Sequence, residues 1–480
     1  MNSRGEVVLW SAAIAVAALG TWVMYDALPG INWGMWTLAA SAGLFLFLRP
    51  ARPASILVTT GAAVVLALGA AVTADEFILA LICLSVIFFL ALSMLLSANP
   101  SIARITAAFA IPAPIVAFAS AIVESVKRAV EALHLVRSDR ARSVVRGIAI
   151  TAPVIVVFAL LLSTADPVFA GWRESIAQLL QSWEFIPRIV FFAGMLAITL
   201  GAYGYAAREE ASPPISVSTG YEGTRWLGAT ERLILITSIA LLFYLFLAVQ
   251  LSYFFGNLPR ITGSGITFAD YARRGFAELT VVATATVLLI LMSERFGKQD
   301  SRHSLIKAAT IALIVAVILL LFSAFNRVVL YEQAYGFTTA RLYAQCYMIV
   351  IAVVLVTLGV MIARDLGRAS LFRITLTVAT LIFVVLVYWN HEAWIAERNI
   401  ERLASTGKLD VKYLARDLSV NAVPVLVERL SSLPEPSRSQ LRQALTSSYT
   451  GRKRQFDRQW YEWNYRRWKA RQSLISIGIN

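Results

Sequence analysis

Read from the N-terminus, the chain alternates long, continuously apolar runs with short polar connections. Such runs fall at about 7–25, 33–48, 55–73, 77–97, 147–164, 189–206, 231–254, 275–293, 308–326, 343–362 and 374–390. A helix rises ~1.5 Å per residue, so about twenty residues cross a ~30 Å hydrocarbon layer. The runs are apolar throughout instead of alternating at every second residue, which excludes membrane strands. The pattern predicts an all-α, polytopic transmembrane bundle of about eleven spans. Trp22, Tyr25, Trp33, Trp36, Tyr388 and Trp389 stand at run ends, where amphipathic rings suit the headgroup layer. The first run follows a short segment with one Arg and one Glu and exceeds a signal peptide's apolar core, so it reads as an uncleaved span.

The segment 102–123 is apolar enough to span, but Pro112 and Pro114 interrupt it. Two prolines two apart remove two backbone donors, so it is read as an interfacial or re-entrant element, followed by a basic cytoplasmic stretch at 124–146. With the N-terminus inside, the inner loops hold nineteen Lys/Arg and the outer loops seven. That asymmetry predicts a cytoplasmic N-terminus and an extracytoplasmic C-terminus.

From His391 the pattern changes. Short amphipathic helices are predicted at 392–405, 410–417, 421–432 and 436–449, with Gly407 as a C-cap, Asp410 as an N-cap and Pro434 and Pro436 as punctuation. The division is therefore a membrane domain, 1–390, and an extracytoplasmic helical tail, 391–480. The tail ends in FDRQWYEWNYRRWKARQSL (456–474), which interleaves aromatic and basic residues. Stacking on single-stranded nucleic acid is one use of such a stretch, but an outward location argues against nucleic acid. Two readings stay open: a helix lying on lipid headgroups, and packing of the tryptophans within the tail.

Composition agrees with a membrane chain: 58% hydrophobic, 15% charged, mean hydropathy +0.68. The net charge of +14 belongs to loops that face anionic lipid. Cys83 and Cys346 both lie in apolar runs, and His134, His303 and His391 are scattered, so no disulfide framework, metal site or cofactor is expected. Phosphate-binding glycine loops, dinucleotide fingerprints, HExxH and GxSxG are all missing.

Polar residues crowd the predicted outer ends of the later spans. Asp166, Gln250 and Tyr253 stand there, as do the stretches 270–278 and 326–341. Tyr271, Arg274 and Glu278 share a helical face, and Glu278, about one turn inside its span, calls for a cation such as Arg274 or Arg327. Arg327, Tyr331, Thr338, Arg341 and Gln345 would share a face if the helix ran unbroken through Gly336; a helix-turn-helix is the equal alternative. Tyr271, Arg274, Glu278, Arg327, Tyr331, Glu332, Tyr335 and Arg341 are the candidate polar site, with the arginines receiving an anionic group or pairing with the carboxylates. The competing reading is an ion-pair and tyrosine network that holds span ends in register.

STADPVFA (163–170), VQLSYFFG (249–256), YARRGFAEL (271–279), SAFNRVVLYEQAYGFTTARL (323–342), NIERLASTGKLDVKYLARDLSVNAVPVL (399–426) and the aromatic patch Trp460–Asn464 carry a resemblance. The chain resembles the bacterial multi-pass membrane proteins grouped as domain of unknown function 4173. Asn421 stands where that family's tail often has an acidic residue. The resemblance implies a bacterial inner-membrane protein of this architecture and no established activity. Solute binding or transport through the outer polar site is the leading expectation, with the bilayer and a small molecule or protein on the outer side as partners. The rival is a non-catalytic envelope scaffold or sensor whose tail recruits a partner. A lipid- or polymer-modifying enzyme would rest on His391 and Glu392 alone.

Overall fold

The computed structural model describes residues 3–48, 54–98, 105–132, 185–207, 228–255, 276–296, 303–364, 369–450, 456 and 459–479. Every regular element among them is helical. Ahead of the tail come α1 (Ser3–Met24), α2 (Ile31–Phe47), α3 (Ala54–Gly69), α4 (Glu76–Ala98), the single turn α5 (Ala107–Ala110) and α6 (Ala113–Ala132). They are followed by α7 (Phe185–Ala206), α8 (Ala229–Phe255), α9 (Phe276–Phe296), α10 (His303–Tyr335), α11 (Thr339–Ala363) and α12 (Ala369–Tyr388). Ten of the expected spans coincide with these helices, and 147–164 lies outside the described residues. Among the described residues eight helices, α1, α4 and α7 to α12, are long and apolar enough to cross a membrane; α2 and α3 are shorter apolar helices. The chain is a multi-pass membrane protein. At 33 residues, α10 is ~50 Å long and exceeds a ~30 Å hydrocarbon layer. The surplus carries its polar last turns, 326–335, past the apolar run.

The chain divides into two units, Met1–Val217 with Arg452–Gln472, and Ser218–Gly451 with Ser473–Asn480. In the first, α7 packs along α1 and α6, and α3 along α2 and α4. Leu9, Ala13, Val16, Leu44, Leu200 and Tyr203 form a core between α1, α2 and α7. The α6–α7 approach is close enough that a Cβ on Gly201 would lie 1.9 Å from the Ala121 carbonyl oxygen. Glycine alone allows that contact.

The two prolines begin a helix instead of breaking one. Pro112 lies in the turn before α6 and Pro114 in its first turn, where a missing N–H forfeits no helical bond. The helix then runs on to Ala132, burying Ala113, Ala117, Ala121 and Glu124 and exposing Ile115, Phe118 and Val123. Arg128, counted above with the inner-loop charges, is buried on that face. Its Nε donates to Glu124 at 3.0 Å, its Nη1 to the two Glu6 oxygens at 2.7 and 2.9 Å, and its Nη2 to the Gly204 carbonyl at 3.3 Å. Only such full pairing makes a buried guanidinium tolerable.

In the second unit α8, α9 and α11 pack around α10, and α12 packs on α11. Ile236, Ala283, Ile290, Leu313, Val317, Ala324 and Leu355 are core residues there. Gln250 accepts from Ser323 at 2.8 Å, and Arg232 reaches Glu294 at 2.6 Å. The tail adds α13 (His391–Thr406), a π-helical turn (Tyr413–Asp417), α14 (Val423–Arg429), a 3-10 turn (Leu430–Ser432) and α15 (Ser437–Tyr449). A second 3-10 turn (Trp460–Glu462) leads into α16 (Tyr465–Ser476). The expected caps are present: Gly407 closes α13 at φ 67°, and the Asp410 carboxylate accepts from the Tyr413 N–H at 3.0 Å.

Candidate functional site at the helix corner

The polar stretch 326–341 is a helix, a sharp corner and a second helix. Gly336 turns the chain at φ 92°, and a Cβ there would lie 2.5 Å from Asn399 Oδ1. Thr338 opens α11 by accepting from the Arg341 N–H at 3.4 Å. Because α11 folds back against α10, Arg341 lies 4.1 Å above the Tyr331 ring and donates to the Gly336 carbonyl. The Tyr331 and Tyr335 rings are 4.8 Å apart. Glu332, 5% exposed, accepts from Gln345 Nε2 at 2.9 Å.

Four of the predicted residues, Tyr331, Glu332, Tyr335 and Arg341, are thus brought together, through the corner and not along one continuous face. Arg327 is half-buried two turns before the helix end. Glu278 stands in the first turn of α9, about one turn inside its apolar run. Its side chain is exposed, and the helix N–H groups at that end favour a carboxylate. Tyr271 and Arg274 lie outside the described residues.

The tail is fastened onto this corner by side chains that were not among the candidates. Asn399 Oδ1 accepts from the Phe337 N–H at 2.9 Å while its Nδ2 donates to the Phe337 carbonyl at 2.8 Å. Arg402 donates to the Gln333 carbonyl at 3.0 Å and to that of Ala334. The Tyr413 hydroxyl accepts from the Thr339 N–H at 2.9 Å, and burial pushes its pKa up. Phe337 meets Trp394 edge-on at 5.3 Å.

His391 and Glu392 also serve the junction. His391 Nε2 and the Tyr343 hydroxyl are 3.0 Å apart. Glu392, 2% exposed, accepts from the Ser419 N–H at 2.8 Å, the Ser419 hydroxyl and Asn421 Nδ2 at 2.8 Å. Asn390 Nδ2 donates to the Asn421 carbonyl at 3.0 Å. Asn399, Arg402, Tyr413, Ser419 and Asn421 all fall within the tail motif 399–426, so the density of polar residues there was the available signal.

In the first unit, residues 459–467 dock on helix-end loops. Asn464 is fully buried; its Nδ2 donates to the carbonyls of Ala70 and Thr73 at 2.7 and 2.8 Å, and its Oδ1 accepts from the N–H groups of Arg466 and Arg467. Glu462 accepts from the Leu28 N–H at 3.3 Å, and Arg467 donates to the Pro29 carbonyl at 2.8 Å. Trp460, Trp463 and Trp468 stay exposed. The patch therefore combines a polar anchor with outward rings. Among the described residues no group of three His, Cys, Asp or Glu could hold a metal.

No curated protein and no solved structure gave a significant match. One family model does match, over residues 60–429. It corrects the expected family number from 4173 to 4153, begins within α3 instead of near residue 160, and ends before the Trp460–Asn464 patch. The chain belongs to the family described as Domain of unknown function (DUF4153).

Proposed function

We propose that this chain is a non-catalytic platform of the bacterial inner membrane, its tail held as a fixed extracytoplasmic surface for a partner. The observation that carries this reading is the use made of the candidate polar residues. Arg341, Glu332 and Gln345 tie α10 to α11, and Asn399, Arg402 and Tyr413 tie the tail to their corner. A tail fastened at so many points is suited to presenting a surface. The loop asymmetry of nineteen against seven cationic residues supports a cytoplasmic N-terminus.

Solute binding keeps one support: Glu332 is buried near the corner and takes a hydrogen bond from Gln345. Complementation of a deletion strain separates the two. On the platform reading, Glu332→Gln, which keeps a hydrogen-bonding amide, retains function, while Asn399→Ala with Arg402→Ala loosens the tail and loses it. The opposite pattern, with loss in Glu332→Gln while the tail stays protected from protease, overturns the platform in favour of a binding site. A reporter fused after Gly407 tests the orientation; cytoplasmic activity refutes it.

A further inference from the structure

A groove of about 660 Å³ opens along α1, α7 and the tail segment 459–461 of the first unit. Two kinds of surface meet in it. Trp22, Ile189 and Phe192 supply an apolar wall from the membrane helices, while Trp460 and Tyr461 supply an aromatic wall from the tail. The Trp22 ring lies 6.0 Å from that of Trp460 and 5.9 Å from that of Tyr461, yet Trp22 and Trp460 remain 57% and 60% exposed. Arg188 is the cation of the groove lining, its guanidinium 5.4 Å from the Tyr25 ring. It is exposed, and among the described residues no carboxylate pairs with it. The tail wall is held in place by buried Glu462 and Asn464.

We propose that this groove binds an anionic phospholipid, with the headgroup phosphate on Arg188 and the upper chains against the exposed faces of the paired Trp22 and Trp460 rings. Three features select a lipid over a soluble anion. The groove lies at the end of two helices apolar enough to span a membrane. The α7 face running on from Arg188 is apolar and exposed, with Ile189 and Val190 57% and 64% accessible. Exposed tryptophans on both walls suit the headgroup layer, where a ring meets hydrocarbon on one side and water on the other. The exposed Arg188 guanidinium supplies the charge selection, since its planar fork matches phosphate oxygens.

The test uses the full chain in detergent, with lipid retention read by native mass spectrometry. Phosphatidylglycerol should be retained about fivefold more tightly than phosphatidylcholine, the preference that one arginine near a lipid surface confers. Arg188→Gln should erase that preference, Arg188→Lys should keep it, and Trp460→Ala should weaken retention of both lipids. Arg398→Gln, which removes an exposed α13 cation paired with Glu401 at 2.8 Å, should change nothing. Circular dichroism checks that each variant is folded, and Arg188→Lys carries the charge test if the glutamine variant is not. An unchanged preference in Arg188→Gln, or its loss in Arg188→Lys, overturns the proposal. Displacement of phosphatidylglycerol by glycerol 3-phosphate at equal concentration also overturns it, in favour of a soluble anion.

Discussion

Replacing Asn421 by aspartate changes one atom's chemistry and almost no volume, yet it should unfasten the tail. In the native protein Asn421 Nδ2 donates to Glu392 Oε2 at 2.8 Å, with the two residues 3% and 2% exposed. Aspartate turns that donor into an acceptor. A charge-assisted hydrogen bond worth about 1.5–3 kcal/mol is lost. Two carboxyl groups then share one buried site and cannot both ionise, so one must hold a proton above the ordinary carboxylate range. At neutral pH the combined cost is about 3–5 kcal/mol, because every tenfold change in proton affinity between folded and unfolded states is worth about 1.4 kcal/mol.

The sign follows from the shared proton. A carboxyl whose folded pKa is raised supports the folded state below its unfolded value, and that support is lost as pH rises through the folded value. Asn421→Asp should therefore be closest to wild type near pH 4 and worst at pH 8. Hydrogen exchange of residues 390–425 in the full chain is the assay, with protection at pH 7.5 expected to fall roughly 100-fold or more. The exchanged pair Glu392→Gln with Asn421→Asp restores one donor and one acceptor, and the Ser419 hydroxyl can turn to accept. It should recover most of the protection. Protection of Asn421→Asp within about threefold of wild type, or no recovery in the exchanged pair, would refute the reasoning.

Further substitutions probe other joints. Asn399→Ala removes both hydrogen bonds to Phe337 and should cost about 2–3 kcal/mol, read as faster proteolysis of the tail. Gly336→Ala should do the same through its positive φ and the contact with Asn399. Arg128→Ala leaves Glu124 buried without its guanidinium partner and should cost about 3–5 kcal/mol. Glu6→Gln, at a carboxylate 40% exposed, should lower the melting temperature far less. The raised pKa of Tyr413 means its protonated form supports the corner below the ordinary value of 10.0, and that support is lost as pH rises past the folded value. Tail protection should therefore fall at alkaline pH in the wild type and show a flatter profile in Tyr413→Phe.

The helices were legible because hydrophobic length is a local property. Every described span rests on a run of apolar residues that needs no distant information, and Gly336, Gly407 and Asp410 act within one turn of their own positions. Tyr331, Glu332 and Arg341 could be grouped for the same reason. What escaped was long-range. Glu6, which pairs with Arg128, is 122 residues away from it, and Asn399, which holds Phe337, is 62 away. Composition places Arg128 in a loop and Asn399 on a solvated helix, because only the packing of α6 on α7 and of α13 on the corner removes them from water.

The polar residues gathered at helix ends answer a common physical need. A helix C-terminus leaves four carbonyls without intrahelical partners and carries a partial negative charge. After α3, the carbonyls of Ala70, Ala71 and Thr73 take donors from Asn464 and Tyr465. In the connection between α1 and α2, just before the Gly30 N-cap of α2, the Pro29 carbonyl takes Arg467. At the end of α10, the carbonyls of Gln333, Ala334 and Gly336 take Arg402 and Arg341. In both units, separately, the tail supplies donors, several of them cationic, to carbonyls that would otherwise depend on water at a membrane surface. Arginine and asparagine suit this work because they offer several N–H groups in fixed geometry. Carbonyl capping thus accounts for Arg402, Asn464 and Arg467, and it leaves unexplained the exposed tryptophans and the exposed Arg188 guanidinium, which among the described residues has no carboxylate partner.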